Sequence, residues 1–282
     1  MKTWFITGAS RGFGGRIAAL ALQRGDHVVA TARSAASVTE RLGEHPNLLA
    51  VTLDVTNETQ AREAAAAAVQ RFGGIDVLVN NAGFGLLGAV EEATAEEVEA
   101  LYRTNVFGLL AVTRAVLPYM RARRLGRILN ISSIGGYRAA AGFGVYSSTK
   151  FAVEGLSEAL HAELAPLGIH VTVVEPGYFR TDFLDSSSLS VSPKRIADYE
   201  ATAGATRERA AGLNHEQPGD PDKLARVLVD FADATSPPVR LPLGSDTVAA
   251  ITAKHAADAA ILTEWHAVAV STDFGRSDGP IA

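Results

Sequence analysis

The stretch 3-TWFITGASRGFG-14 decides the fold: a β-rich apolar run empties into a turn with glycines at 8, 12 and 14, and a helical pattern follows. A strand, a glycine-rich turn and a helix in that order leave helix N–H groups pointing outward and let backbone approach a ligand closely. Gly8, Ser10, Arg11, Gly12, Phe13 and Gly14 are therefore a candidate anion site, suited to a pyrophosphate. The spacing is G-x-x-x-G-x-G rather than G-x-G-x-x-G, and no GK[ST] follows, which excludes a P-loop.

Further along the chain the same alternation repeats. The runs 27-HVVATA-32, 48-LLAVTL-53, 76-DVLVN-80, 127-RILNIS-132 and 169-IHVTVVE-175 are apolar on successive positions, as strands buried on both faces are. Helices are expected over 14–24, 57–72, about 95–121, 146–166 and 221–234, with 239-VRLPLG-244 as a last edge strand and 245–268 helical. This order predicts an α/β fold, a doubly wound parallel sheet covered by helices on both sides in three α/β/α layers. The 282 residues, 47% of them hydrophobic, suit a single domain, 1–282, and no composition shift marks a second. From 178 to 217 the alternation lapses into polar, serine-rich sequence, which reads as a lid over the substrate. Residues 245–282 read as a C-terminal helix and tail.

Composition narrows the chemistry. The net charge of −5 and the lack of a polybasic tail disfavour nucleic acid or an anionic membrane as partner. Zero cysteines exclude disulfides, thiol catalysis and cysteine-ligated zinc. The seven histidines show no ligand spacing, so no metal is expected. With no apolar run of about 18 residues and no leader pattern, the chain reads as cytoplasmic. The basic 121-RARRLGR-127 reads as a helix C-terminus stopped by Gly126, and 91-EEATAEEVE-99 as a helix start capped by Thr94.

The end of the second strand would meet the adenosine ribose of a dinucleotide. There the chain has Thr31, Ala32 and Arg33, with no carboxylate until Glu40. A ribose 2′-hydroxyl is commonly held by Asp or Glu at this place, whereas Arg33 offers a planar donor fork to a 2′-phosphate. Arg11 adds a second positive charge, so NADP(H) is favoured over NAD(H). Asp54, followed by Val55 at the end of the third strand, could accept from the adenine amino group.

In 145-VYSSTK-150, Tyr146 and Lys150 are four residues apart and share a helix face. A phenol is a sluggish base at neutral pH, and an adjacent ammonium should lower its pKa. Tyr146 then serves as general acid for carbonyl reduction and its phenolate as base for alcohol oxidation. Ser133 ends the fifth strand and could hydrogen-bond the substrate oxygen, with Ser132 the neighbouring candidate.

Taken together, 7-TGASRGFG-14, 80-NNAG-83, Asn105, 130-NISS-133, 146-YSSTK-150 and 176-PG-177 resemble the short-chain dehydrogenase/reductase family, in its compact single-domain branch. The resemblance covers residues 1 to about 180 and implies a Rossmann-like fold binding a nicotinamide cofactor. Its spacing selects Ser133. It also implies that Lys150 reaches the nicotinamide ribose and that Asn105 holds a water linking Lys150 to solvent. Asn81, Ala82 and Gly83, with Asn80, would line the adenosine side and steady the sheet. Pro176, Gly177 and Thr181 would meet the carboxamide or phosphates. Phe84, Ile134, Phe143, Tyr178 and Phe183 are expected to close over the nicotinamide and to suit an apolar ketone, aldehyde or secondary alcohol. A homodimer or homotetramer pairing through the fourth and fifth helices also follows from the resemblance. Two other functions stand beside this one. A non-catalytic NADP-binding sensor would tend to have lost Tyr146 or Lys150, and a nucleotide-sugar epimerase or dehydratase would have a different glycine spacing.

Overall fold

The computed structural model describes residues 1–274. Its strands are β1 (Thr3–Thr7), β2 (His27–Ala32), β3 (Leu48–Thr52), β4 (Val77–Asn80), β5 (Gly85–Leu87), β6 (Gly126–Ile131), β7 (Ile169–Pro176), β8 (Leu189–Val191) and β9 (Arg240–Leu243). Its helices are α1 (Gly12–Gln23), α2 (Ala35–Leu42), α3 (Glu58–Phe72), α4 (Ala95–Tyr102), α5 (Leu109–Arg123), α6 (Gly144–Leu164), α7 (Ala205–Leu213), α8 (Pro221–Phe231), α9 (Ser245–Glu264) and α10 (His266–Val270). Seven strands form one parallel sheet in the order β3-β2-β1-β4-β6-β7-β9. Chain progression reverses between β1 and β4, and this switch point opens a crevice at the strands' carboxyl ends.

Strand alternation sorts the core into two faces. Trp4 and Ile6 of β1 pack with Ile17 and Ala21 of α1 and Leu224 and Leu228 of α8. Phe5, between them, points to the other face, against Ala61 and Ala65 of α3 and Val112 and Val116 of α5. The alanine run of α3 lets that helix lie close to the sheet. Its ends are set locally: the Asn57 side chain accepts from the N–H groups of Thr59 and Gln60, and Gly73 closes it at φ +82°. Such a cap contributes about 1 kcal/mol. Thr94 and Glu97 form a reciprocal capping box on α4.

Several expectations need correction. The helix expected over 95–121 is two helices joined by a π-helical segment, Arg103–Gly108. Helix α5 stops at Arg124, in the left-handed region at φ +50°, and Gly126 opens β6 instead of ending the helix. Helices α2 and α7 and the short parallel pair β5–β8 were not anticipated. The last helix is broken into α9 and α10, and residues 275–282 of the expected tail lie outside the described residues.

The segment 178–217 has structure of its own. Its strand β8 pairs with β5, and buried Glu92 accepts the N–H groups of Ala89 (2.8 Å) and Ile196 (3.0 Å) while pairing with Arg207 of α7. Among the described residues no helix is long and apolar enough to cross a membrane.

Candidate active site

A cavity of about 780 Å³ lies at the carboxyl ends of the sheet strands. It gathers residues that follow six of them: Gly8 to Phe13 after β1, Arg33 after β2, Asp54 and Val55 after β3, Asn81 to Phe84 after β4, Ser133 and Ile134 after β6, and Pro176 to Tyr178 from β7. Phe143, Tyr146, Lys150, Thr181 and Phe183 complete the wall. Of the site residues named from the sequence, Gly14, Asn80 and Asn105 fall outside its lining, and all three support residues or strands that shape it.

The glycine turn is stapled to β4. The Thr7 hydroxyl accepts the N–H groups of Asn81 (2.9 Å) and Ala82 (3.0 Å), and the Asn81 amide donates to the carbonyls of Thr7 (2.9 Å) and Gly8 (3.1 Å). Gly14 is required by packing, since a Cβ there would lie 2.5 Å from the Gly8 carbonyl oxygen. Gly12, at φ +57°, has nothing within 4 Å of where a Cβ would stand, so the approach from the cavity is open. Helix α1 begins without a side-chain cap. Its uncapped N–H groups and positive dipole end fit an anion such as a dinucleotide pyrophosphate.

At the other end of the crevice Arg33 is exposed and lines the cavity beside Ser34 and Ser37. Asp54 receives the Thr56 N–H (2.9 Å) and hydroxyl (2.7 Å) on Oδ1. Arg11 differs from expectation: its Nη2 donates to the Ser187 carbonyl at 2.5 Å, so it reaches across the cavity mouth to the 178–217 segment.

Around Tyr146 the arrangement is close and apolar. Its ring contacts Phe143 (centroids 6.0 Å apart) and Phe183 (5.6 Å). Lys150 Nζ stands 5.7 Å from the ring centroid and donates to the Ile131 carbonyl at 2.9 Å. Burial pushes the Tyr146 phenol well above its ordinary pKa; a hydrogen bond with Ser133 pulls it partly back, and nearby Tyr178 adds to the rise. The expected lowering by Lys150 is not what sets the phenol here: its Nζ is bonded to the Ile131 carbonyl, and burial of the phenolate dominates. Burial likewise brings Lys150 down to about 8, with Glu154 pulling it up.

Asn105 sits in the π-helical segment, where its amide is turned toward the loop after β4. It accepts the Phe84 N–H (3.1 Å) and donates to the Phe84 carbonyl (2.9 Å) and the Thr149 hydroxyl (3.2 Å). A Cβ on Gly83 would lie 3.0 Å from Asn105 Oδ1 and 3.9 Å from Lys150 Nζ, so the two side chains flank this glycine. Asn80 does not line the adenosine side. It is buried in the sheet, donating to Thr113 and to Asn130 at 2.9 Å each, and Asn130 donates on to Ser157. Steadying the sheet is what its position supports.

Some lining residues escaped the sequence. Phe179 packs edge-on against Phe13 at 5.5 Å. Its aromatic character between Tyr178 and Thr181 was an available signal. Gln217 also lines the cavity, 1% exposed, with both side-chain polar atoms unpaired within the protein. It lies in a polar run whose composition resembles any surface loop.

Residues 2–191 match the family model described as short chain dehydrogenase. A 3-ketodihydrosphingosine reductase from Bacteroides thetaiotaomicron is 40% identical over 240 residues, covering 85% of this chain and 86% of the relative. A crystal structure of a short-chain dehydrogenase from Streptomyces avermitilis superposes with a TM-score of 0.90 at 43% identity, covering 97% of this chain and 99% of that one. ElxO with NADP bound superposes at 0.73 with 26% identity, covering 88% and 99%. The strand order, the glycine turn and these matches agree: the chain belongs to the short-chain dehydrogenase family of oxidoreductases, which bind nicotinamide cofactors.

Proposed function

We propose that this chain is an NADP(H)-dependent oxidoreductase acting on an apolar ketone, aldehyde or secondary alcohol, with Tyr146 as general acid and base. One observation carries this: a single cavity joins the uncapped start of α1, suited to a pyrophosphate, to the Tyr146–Lys150–Ser133 group. The nicotinamide, when bound, supplies or accepts the hydride.

For carbonyl reduction the chain's part is to handle the oxygen. Ser133 donates a hydrogen bond to it and Tyr146 delivers the proton as charge builds there. The raised phenol supports this direction, because it holds its proton at neutral pH until the oxygen takes it. Lys150 stabilises the phenolate left behind and reaches toward the nicotinamide ribose. Asn105, flanking Gly83 with Lys150, supports a water-borne route for reprotonation. Phe84, Phe143, Phe183 and Ile134 favour an apolar substrate, consistent with the name of the Bacteroides relative, a ketone reductase. Residues 178–217 act as the lid of a single domain, with Arg11 latching it. Arg33 supplies the charge that favours the 2′-phosphate, and the NADP held by ElxO is in keeping with that choice. A dimer or tetramer is supported by Phe107 and Phe151, both exposed on helical faces.

Purified protein mixed with NADPH or NADH and a panel of ketones, aldehydes and quinones, followed by absorbance, tests the proposal. Oxidation of NADPH with an apolar carbonyl is expected. Tight cofactor binding without turnover across the panel would point instead to a cofactor sensor.

A further inference from the structure

Gln217, at the end of the 178–217 segment, is 1% exposed and lines the cavity, yet neither its Oε1 nor its Nε2 has a hydrogen-bond partner among the described residues. A primary amide carries an acceptor oxygen and two N–H donors, and leaving both ends unanswered away from water is costly. Folded proteins seldom bury a polar group without a partner, so this amide marks a place where something else binds.

The backbone around it is held firmly. The Gln217 carbonyl accepts from Arg180 Nε and Nη2, each at 3.3 Å. The Arg180 N–H donates to the Gly219 carbonyl and the Gly219 N–H to the Tyr178 carbonyl, both at 2.9 Å. Two residues earlier His215 lies in the left-handed region at φ +64°, which a residue bearing a Cβ adopts only where its surroundings impose it. The loop is thus fixed along residues 178–180, and these stand centrally in the crevice. Phe179 meets Phe13, in the first turn of α1, at 5.5 Å, and Phe183 meets the Tyr146 ring at 5.6 Å. Gln217 is docked between the end suited to a pyrophosphate and the phenol.

Whatever answers this amide at both ends must donate as well as accept. A phosphate only accepts, and so does an apolar ketone or aldehyde. The hydroxyls of a secondary alcohol and of the nicotinamide ribose are already given to Tyr146, Ser133 and Lys150. A nicotinamide carboxamide does both, and two primary amides pair through two parallel hydrogen bonds. We propose that Gln217 is a cofactor-orienting residue whose amide pairs with the nicotinamide carboxamide. The inference rests on the nicotinamide reading given above. Rotation about its own side-chain bonds presents the amide to the cavity that Gln217 lines, with the backbone still pinned by Arg180.

Calorimetry with two dinucleotides tests this without turnover. In 3-acetylpyridine adenine dinucleotide phosphate a methyl replaces the carboxamide NH2, so the acceptor stays and the donor is gone. Wild type should bind NADP+ about fivefold more tightly than this analogue. Gln217→Met keeps the length of the side chain and removes both polar ends. It should weaken NADP+ binding about tenfold and erase most of the preference. A preference of the same size in wild type and Gln217→Met, whether the two affinities hold or fall together, overturns the inference and gives the amide a structural role.

Should Gln217→Met fail to fold, the unaltered protein provides the answer. The chain has four glutamines, at 23, 60, 70 and 217, so side-chain amides labelled with nitrogen-15 are readable by NMR. Single replacements of Gln23, Gln60 and Gln70 assign the fourth signal by elimination. That signal should move on addition of NADP+ and move less with the analogue; one that NADP+ leaves in place, or that both move equally, refutes the pairing. The same titrations with NAD+ and its acetylpyridine form separate the inference from the reading beneath it. Tighter binding of NAD+ with the carboxamide preference intact removes the selectivity given to Arg33 and keeps Gln217 in its role. Binding of neither dinucleotide removes both.

Discussion

Replacing Lys150 with Met should stabilise the protein while removing its activity. Met retains most of the apolar stem and removes the ammonium. Burial lowers Lys150 from 10.5 to about 8. That is about 2.5 pH units at roughly 1.4 kcal/mol each, so holding the charge in place costs the folded state about 3.5 kcal/mol at neutral pH. Against this, the variant loses the hydrogen bond to the Ile131 carbonyl, worth about 1 kcal/mol. The net gain is about 2.5 kcal/mol. With an unfolding entropy of about 2.1 cal/mol/K per residue over this chain, Tm should rise by about 4 °C. The pH dependence is the sharper signature. Because the folded pKa is depressed, the burden is complete below about 8 and is relieved as pH climbs toward the unfolded value of 10.5. The stability difference between Met variant and wild type, from urea melts at a series of pH values, should be largest near pH 7 and shrink through that window. A Met variant less stable than wild type at pH 7, or a difference flat to pH 10, would refute the reasoning.

Three further outcomes are expected. Tyr146→Phe should abolish turnover yet leave NADPH affinity, read by fluorescence titration, within about twofold; retained turnover would remove the phenol from the mechanism. Arg33→Asp should weaken NADP+ binding about ten- to a hundredfold, from loss of a charged hydrogen bond worth ~1.5–3 kcal/mol, and leave NAD+ binding unharmed; unchanged selectivity would reduce the arginine to surface. Gly14→Ala forces a Cβ to 2.5 Å from the Gly8 carbonyl and so must shift backbone in the turn. Calorimetry should register at least a tenfold loss of cofactor affinity, and wild-type affinity in that variant would separate the turn from binding.

The sheet was legible because parallel strands buried on both faces leave unbroken apolar runs, as in 169-IHVTVVE-175. Elements that bury little leave no such trace. Helix α2 buries only Val38 and α7 only Ala210, so neither carries a clear apolar stripe. Strands β5 and β8 are three residues each and pair across about a hundred residues of chain. The break at Arg103–Gly108 was invisible for another reason: a π-turn changes hydrogen bonding without requiring proline or glycine at its start. In the site, glycines, Tyr146 and Lys150 were readable from spacing. Arg11's reach to Ser187, and the meeting of Glu154, Glu175 and Arg240 from α6, β7 and β9, depend on distances between elements that no local spacing encodes.

The placement of Asn105 shows how the fold and the proposed chemistry constrain each other. A regular helix through 95–123 would satisfy its backbone internally and leave an asparagine at 105 unfavourable by propensity. The π-turn widens the helix where that asparagine is needed, turning its amide onto both the N–H and the carbonyl of Phe84. Phe84 follows Gly83, the glycine flanked by Asn105 and Lys150. The loop after β4, which shapes the middle of the crevice, is therefore held by the helix irregularity, and Thr149, the neighbour of Lys150, is bonded to the same amide. One side chain thus fixes the loop and helix α6 relative to each other. Apolar contacts, being non-directional, could pack these elements without setting that register. The polar irregularity costs some helix stability and fixes the relative placement of loop and helix that the proposed proton transfer needs.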